Sequence, residues 1–511
     1  MENTRLLASA SLARYYRTQN FAPAWTDSDG PTAHADRLIA ALRDARDDGL
    51  RPADYHTSRI DSLRRRLHAR NEEALPLDAR TDFELLCTNA FLLYSSHLLT
   101  GRLDPVEIVP SWNVGHRHAD LTHQLEDALG KASVRTVLDR LRPSHLEYAG
   151  FRRALARYRT LADQGGWPSI PDGPKIEEGT QDARVPLIRQ RLQATGDLTG
   201  DAPSTAVAFT DTLRRAVSRF QERHGLDVDG IVGPETRRAM NVPVEDRIRQ
   251  IVVNLERHRW LPRNLGTPHV LVNIADFWLR VVEDDSTALQ MRVVVGTRFR
   301  QTPVFSDRIS YLVFNPYWHV PPGIATADQL PLFQEDPSLV SELGFEVFDG
   351  WGPNATPVDP SSIPWDSLSA SNFPYHLRQR PGPHNPLGQV KFMFPNPHDV
   401  YLHDTPARSL FDRQERCFSS GCVRVEHPAE LASFLLRPHE EWTADRVREV
   451  MGEGPPKTVR LKQPVPVHLL YWTAWMEEGA LHFREDVYDR DDAVASALAA
   501  PLSRPPDAAD R

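Results

Sequence analysis

Apolar positions recur at helical spacing through roughly the first 260 residues and at alternating spacing beyond 268, which predicts a helical N-terminal part and a strand-rich C-terminal part. Leu38, Ile39 and Leu42, with the Ala40–Ala41 pair, predict a helix that Asp47-Asp48-Gly49-Leu50-Arg51-Pro52 stops with glycine and proline. Residues 83–99 predict a second, more continuously apolar helix ended by Gly101, within a mostly helical stretch over 33–165. The Gly/Pro-rich run from Gly165-Gly166-Trp167-Pro168 to Pro174 predicts a domain edge. A compact helical unit follows over 184–242. Leu213, Val217 and Phe220 share one face there, Gly225 sits at a helix C-terminus, and Gly233-Pro234 opens the next helix. A helix over 245–260 carries Ile248, Ile251, Val252 and Leu255 on one face and stops at Pro262.

From 268 the period becomes two. Val270, Val272 and Ile274 alternate, as do Leu289, Met291, Val293 and Val295, and both runs predict strands. Further strands are expected over 310–315, 390–394, 400–403, 459–461 and 465–471, with a short helix over 430–436. Between Pro322 and Pro386 the pattern loses its period although Trp351 and Trp365 lie in it. A segment of that length without elements of its own is uncommon unless functional, so a lid or capping subdomain is expected. The stretch from Ala493 is Ala-, Pro- and Asp-rich and reads as a mobile tail.

Composition changes this picture mainly by exclusion. The 511 residues hold 60 Lys+Arg against 69 Asp+Glu, a net charge of −9, which disfavours phosphate-driven nucleic-acid binding. The most apolar stretch, 83–99, is interrupted by Glu84, Asn89 and His97, and no transmembrane helix is expected. The first 20 residues hold only a short apolar run, 6–12, after Arg5, too short for a secretory signal. Either the protein is cytosolic or its signal is missing from this sequence. Only Lys131, Lys175, Lys391, Lys457 and Lys462 are lysines, a bias given no functional weight. Three cysteines, Cys87, Cys417 and Cys422, make no disulfide framework and no zinc ribbon.

The chemistry-bearing signal is Tyr401-Leu402-His403-Asp404-Thr405, followed by Phe418-Ser419-Ser420-Gly421-Cys422-Val423-Arg424. A thiolate nucleophile needs a base or cation to generate it, and His403 ends a predicted strand nearby. Gly421 permits a tight turn whose N–H groups can face an oxyanion. On spacing alone a buried structural cysteine is the better reading. Cys417, five residues earlier, is either a redox partner or a passive thiol, and Cys87 belongs to a helix core. His116, His118, Asp120 and His123 lack the spacing of metal ligands and read as solvated surface, so no metal is expected. Asp227-Val228-Asp229-Gly230 has its glycine two positions too early for a calcium loop.

The Ser-Ser-Gly-Cys-Val-Arg run, with His403 upstream, resembles the catalytic signature of L,D-transpeptidases, cysteine enzymes of bacterial peptidoglycan. The family's usual second histidine is replaced here by Ser420. Asn385-Pro-Leu-Gly388-Gln-Val-Lys391-Phe and Thr302-Pro303-Val-Phe305 also resemble family segments. Independently, Leu213-Arg-Arg-Ala216-Val217-Ser-Arg-Phe220-Gln221 through Gly225-Leu226, with Asp229-Gly230-Ile-Val-Gly233-Pro234-Glu-Thr236, is similar to the three-helix peptidoglycan-binding domain. Phe21 to Trp25, Asp48-Gly49-Leu50 through Asp54-Tyr55 and Gly101-Arg102-Leu-Asp104-Pro105 resemble the scaffold domain of the large periplasmic members.

The resemblance implies an α+β multidomain chain. A helical scaffold is expected over 1–165, a peptidoglycan-binding domain over 184–242, and a mainly-β catalytic domain over 268–475 with a capping insertion at about 324–386. A C-terminal tail fills 476–511. It implies a nucleophile, Cys422, a base, His403, an oxyanion hole of backbone N–H groups around Gly421 and Cys422, and Ser419 or Ser420 as the group that orients the imidazole. Arg424 either structures the loop or meets a substrate carboxylate; Tyr401, Trp318 and Tyr317 are candidate pocket walls or structural aromatics. The implied reaction is 3→3 cross-linking of stem peptides through a Cys thioester with release of D-alanine, in the periplasm, with no cofactor. Carbapenems are expected to acylate Cys422. Expected partners are peptidoglycan stem peptides and, as a further class, other wall synthases. An L,D-carboxypeptidase, a wall-lipoprotein amidase or a non-catalytic wall-binding protein are the competing readings.

Overall fold

The computed structural model describes residues 6–68, 77–144, 148–200, 205–352, 354–452 and 454–502. It divides into two compact units. One holds the chain up to Asn264 together with the chain from Trp472 onward; the other is Leu265–Tyr471.

The first unit is built around the helix Leu77–Thr100, buried on nearly every side from Phe83 to Leu99. An all-round apolar helix is the central member of a bundle. Helices Ser9–Thr18, Ala33–Arg43, Thr57–His68, Leu121–Leu129 and Val134–Leu141 pack with it into one apolar core. The polar residues that interrupt its sequence all have internal partners. Glu84 accepts from the Ala24 and Trp25 N–H groups at 2.8 and 2.9 Å and from Thr26 Oγ1 at 2.7 Å. Asn89 accepts the Ala8 N–H and His97 meets the Tyr55 hydroxyl. Among the described residues no helix is long and apolar enough to cross a membrane. Asp120, in the polar stretch around His116, caps the helix Leu121–Leu129 through the Thr122 and His123 N–H groups, a structural role.

Within the same unit, helices Val185–Thr195, Asp211–Arg223 and Pro234–Met240 enclose Ile188, Leu192, Leu213, Val217, Phe220 and Met240. The buried amide of Gln221 explains the spacing of the motif it belongs to. It donates to Asp229 Oδ1, the Ile231 carbonyl and Thr236 Oγ1, and accepts the Gly230 N–H at 2.8 Å. Gly230 has φ +72°, and a Cβ there would sit 2.6 Å from Arg214, so no other residue fits.

The expected C-terminal tail is ordered through Ala499. A hairpin of Ala474–Glu477 and Ala480–Phe483 packs against helices Tyr148–Asp163 and Val244–Arg259. The helix Asp491–Ala499 is held by an Arg257–Asp491 pair at 2.6 Å, while Arg51 and Arg102 bond its last carbonyls. Polar pairing and carbonyl capping hold a segment that its composition alone reads as loose. Residues 503–511 of the expected tail, and Arg5, lie outside the described residues.

The second unit is a sheet that returns on itself. Its strands are β1 (His269–Asn273), β2 (Trp278–Glu283), β3 (Ser286–Gly296), β4 (Phe305–Phe314), β5 (Trp318–His319), β6 (Phe345–Phe348), β7 (Pro357–Val358), β8 (His376–Gln379), β9 (Val390–Met393), β10 (Leu402–His403), β11 (Cys417–Ser419), β12 (Val423–Val425) and β13 (Lys457–Leu470). Nine of them run in the order β11-β3-β12-β10-β9-β4-β13-β1-β2, and β2 also pairs with β3, closing the series. The other four form a separate sheet, β5-β8-β6-β7, over a core of Trp318, Val320, Phe333, Phe345, Trp365 and Leu377. The insertion is thus a small subdomain whose sheet begins at Trp318, ahead of 324. Its strands of two to four residues are too short to show a period in the sequence.

Candidate active site

Strand register builds the site. β9 lies antiparallel to β10 with Lys391 opposite His403, and β12 lies parallel to β10 with His403 opposite Arg424. Residues opposite each other on neighbouring strands share a face, so Lys391, His403 and Arg424 form one row across three strands. Tyr401 and Cys422 stand one residue ahead of β10 and β12, two before His403 and Arg424, and the Val423 N–H donates to the Tyr401 carbonyl at 3.1 Å. The Tyr401 and His403 rings are 5.7 Å apart edge-on, and Lys391 Nζ lies 5.4 Å from the centre of the Tyr401 ring. Eighteen residues separate His403 from Cys422 in the chain, and the parallel pairing of β10 with β12 brings them together.

His403 is 4 % exposed and its Nδ1 bonds the Asp404 carbonyl at 2.5 Å. With the proton on Nδ1, the lone pair sits on Nε2. Burial, then the Arg424 charge, pushes its pKa down to about 3, so the ring is neutral at neutral pH. Burial likewise raises the Cys422 thiol to about 11, against hydrogen bonds from the Tyr401 backbone and phenol and the charges of Lys391 and Arg424. The thiol rests against the Asp399 carbonyl at 3.7 Å rather than on the imidazole. The resting pair is therefore neutral thiol and neutral imidazole.

The turn before Cys422 is stapled by Ser419, whose Oγ accepts the Gly421 N–H at 3.1 Å and donates to the Cys422 carbonyl at 2.5 Å. Gly421 has φ +117°, a conformation only glycine adopts freely; a Cβ would meet nothing closer than 3.8 Å, so the dihedral imposes the residue. This separates the two expected oxyanion donors. The Gly421 N–H is committed to Ser419, whereas the Cys422 N–H has no acceptor among the described residues. Ser419 and Ser420 do not orient the imidazole; the Asp404 carbonyl does. Ser420 Oγ instead takes a hydrogen bond from Arg300 at 2.9 Å.

Arg424 and Lys391 are both cations whose pKa burial lowers. Among the described residues neither makes an ion pair or a side-chain hydrogen bond, and Arg424 Nε is buried without a partner. Tyr401 faces the thiol while packing against the core of the inserted subdomain. Trp318 is 9 % exposed inside that core and so is not a pocket wall. Tyr317 lies under the Arg378 guanidinium at 4.5 Å. Cys417 is buried on β11, its thiol raised by burial to about 12, and Cys87 lies in the core of the Leu77–Thr100 helix. Lys391 is the site residue missed from the sequence; its rarity as one of five lysines was the available signal.

Residues 267–467 match the family model of the L,D-transpeptidase catalytic domain, 181–240 that of the "Putative peptidoglycan binding domain", and 10–155 that of the scaffold domain. A curated relative from Haemophilus influenzae, named "Putative L,D-transpeptidase", is 37 % identical over 246 residues, 48 % of this chain and 49 % of the relative. The chain spans about half the length of that relative. Among solved structures, an L,D-transpeptidase from Xylanimonas cellulosilytica is 15 % identical, covering 59 % of this chain and 100 % of its own, with a TM-score of 0.19. One from Stackebrandtia nassauensis is 12 % identical, covering 59 % and 96 %, with a TM-score of 0.22. Lys391, His403, Cys422 and Arg424 all fall within the residues that match the L,D-transpeptidase catalytic-domain model. Along the chain the matches run in the order scaffold domain, peptidoglycan-binding domain and L,D-transpeptidase catalytic domain.

Proposed function

We propose that the protein is a cysteine L,D-transpeptidase that joins peptidoglycan stem peptides by 3→3 cross-links, acting in the periplasm. The observation that carries this reading is Cys422 and neutral, buried His403 on one face beside two unpaired cations. The donor is a tetrapeptide stem with a diamino acid third. Cys422 leaves the Asp399 carbonyl, gives its proton to His403 Nε2 and attacks the carbonyl of the third residue. The Cys422 N–H receives the oxyanion, a single donor of this kind being worth about 3–4 kcal/mol. The imidazolium then protonates the departing D-alanine amine, leaving a thioester. Neutral His403 next accepts a proton from the acceptor amine as that amine attacks, and the thiol is restored. Burial keeps His403 neutral and so able to accept a proton, the buried imidazolium returns that proton readily to the leaving amine, and Lys391 and Arg424 favour the thiolate that the transfer leaves.

Arg424 and Lys391 receive the donor's carboxylates. A half-buried cation with no carboxylate partner is costly unless a ligand completes it, and stem peptides carry carboxylates. No cofactor enters this scheme. The inserted subdomain, packed on Tyr401, excludes water from the thioester so that amine attack outruns hydrolysis.

Purified protein given disaccharide-tetrapeptide is expected to yield a dimer lighter than two monomers by one D-alanine plus no other change, read by mass spectrometry, and Cys422→Ala is expected to yield none. Tripeptide without dimer would replace this reading with an L,D-carboxypeptidase, and unchanged product from Cys422→Ala would remove the cysteine mechanism.

A further inference from the structure

The loop between β3 and β4 grips the three residues before Cys422 one after another. The Thr297 N–H donates to the Ser419 carbonyl at 2.9 Å, Arg300 Nη1 to Ser420 Oγ at 2.9 Å, and Thr302 Oγ1 to the Gly421 carbonyl at 2.8 Å. Thr302 is fixed in turn by the Gly296 N–H at 2.9 Å. The middle contact differs from its neighbours because it does not end at the loop. The same Arg300 guanidinium forms a two-pronged pair with Asp328, Nη1 to Oδ2 at 2.6 Å and Nη2 to Oδ1 at 2.9 Å. Asp328 belongs to the inserted subdomain, on the π-helical turn Ala325–Gln329, a local geometry over-represented at functional sites.

We propose that Arg300 is a positioning residue: by holding Ser420 and Asp328 with one guanidinium, it couples the seating of the capping subdomain to the orientation of the Cys422 N–H. The proposal rests on the transpeptidase reading of the site. Arg300 and Asp328 are both more than a third exposed, so the pair adds little to stability as an ion pair. Its value is geometric. A planar fork can face a carboxylate with two N–H groups and still spend one on a hydroxyl, which an ammonium on a flexible stem does not reproduce. Ser420 stands two residues before the nucleophile, so a shift of its side chain is passed through Gly421 to the Cys422 N–H. When the cap lifts, Asp328 withdraws, Arg300 loses its fixed direction, and the middle of the three grips loosens. The acylating geometry is then complete only when the cap is closed, which limits thioester formation to a site shielded from water.

The test uses the full chain with Arg300→Met, Arg300→Lys, Asp328→Asn, Ser420→Ala and the Arg300→Met/Asp328→Asn pair. Three rates are followed: cross-link formation, carbapenem acylation of Cys422 by intact mass, and iodoacetamide alkylation of Cys422 by peptide mass. Arg300→Met is expected to lower kcat and acylation about tenfold with KM within about twofold, since one misplaced oxyanion donor costs up to about 100–1,000-fold when lost outright. Asp328→Asn and Ser420→Ala should each cost about threefold, Arg300→Lys should fall between wild type and Arg300→Met, and the pair should match Arg300→Met alone because both changes act through one group. Alkylation, which needs no oxyanion hole, should stay within about twofold throughout. Acylation by Arg300→Met at the wild-type rate would overturn the proposal, as would a parallel fall in alkylation, which marks general disruption. If wild type acylates but never cross-links, the transpeptidase reading fails while the acylation series still decides on Arg300. A wild type that neither acylates nor cross-links overturns both.

Discussion

Each unit of the molecule buries a cluster of charges, and the two clusters are finished differently. In the first unit Asp48, fully buried, takes Arg142 at 2.9 Å, Arg152 at 2.8 Å and the Tyr94 hydroxyl at 2.9 Å. Arg259, also buried, closes the cluster by pairing with Glu256 at 2.5 Å and bonding the Asp48 carbonyl at 2.7 Å. Burial alone would raise the Asp48 pKa, but the surrounding arginines, Arg142 first, hold it below its ordinary value. In the second unit Lys391 and Arg424, both half-buried, lie on the face that carries His403, with no carboxylate paired to them among the described residues. A charge completed by its own chain is architecture. A charge left incomplete awaits a ligand, and its unfavourable burial is tolerated where binding repairs it.

The largest expected effect separating the two clusters is on stability. Asp48→Asn removes the buried carboxylate from two half-buried guanidinium groups, of which Arg142 keeps Asp139 and Arg152 loses its ion pair, and breaking a buried pair from one side costs about 3–5 kcal/mol. The melting transition of that unit should fall by about 10 °C, following the usual relation for domains of this size. A fall under about 2 °C would make the Asp48 cluster no more structural than the catalytic row. Sign follows from the pKa direction. Because Asp48 is held below its unfolded value, its contribution is present at neutral pH and is lost as the pH falls through the folded pKa.

Next in size is Arg424→Met, which keeps the side-chain stem but removes the charge. KM for the tetrapeptide donor should rise about tenfold, the scale of one charge-assisted contact, while the melting temperature stays level or rises. A drop in stability like that of Asp48→Asn would erase the distinction and return Arg424 to a loop-structuring role.

How much of this was legible in the sequence depends on whether the signal was local. The helix over Leu77–Thr100 and the Phe220-Gln221 motif were readable because their partners lie within one or two turns or a short loop. Cys422 and His403 were readable from the residues around them, but their meeting depends on parallel pairing of β10 with β12, which no local pattern announces. Lys391 enters the row only through the register of β9, a long-range pairing that a low lysine count does not reveal. The Gly421 N–H was expected to face the oxyanion because glycine allows the turn. Only the placed Ser419 hydroxyl shows that this donor is already spent. The C-terminal helix was misread because arginines fifty and a hundred residues into the chain cap it.

The smallest effect sharpens the comparison most finely, because it isolates charge from binding. Lys391 and Arg424 both act against the burial that raises the Cys422 thiol, which stands at about 11 with their help. At pH 7 the thiolate fraction is then about one in ten thousand, so iodoacetamide alkylation of Cys422 should climb about tenfold per pH unit and level only near pH 11. No step is expected between pH 5 and 7, since His403, with its pKa near 3, is already neutral there. Lys391→Met removes one stabilising cation and should slow alkylation at any pH below the plateau by about threefold, moving the whole curve to higher pH. An inflection near pH 6 in the wild type would reveal a preformed thiolate–imidazolium pair. A Lys391→Met curve superimposed on the wild type would mean that this cation serves the substrate alone.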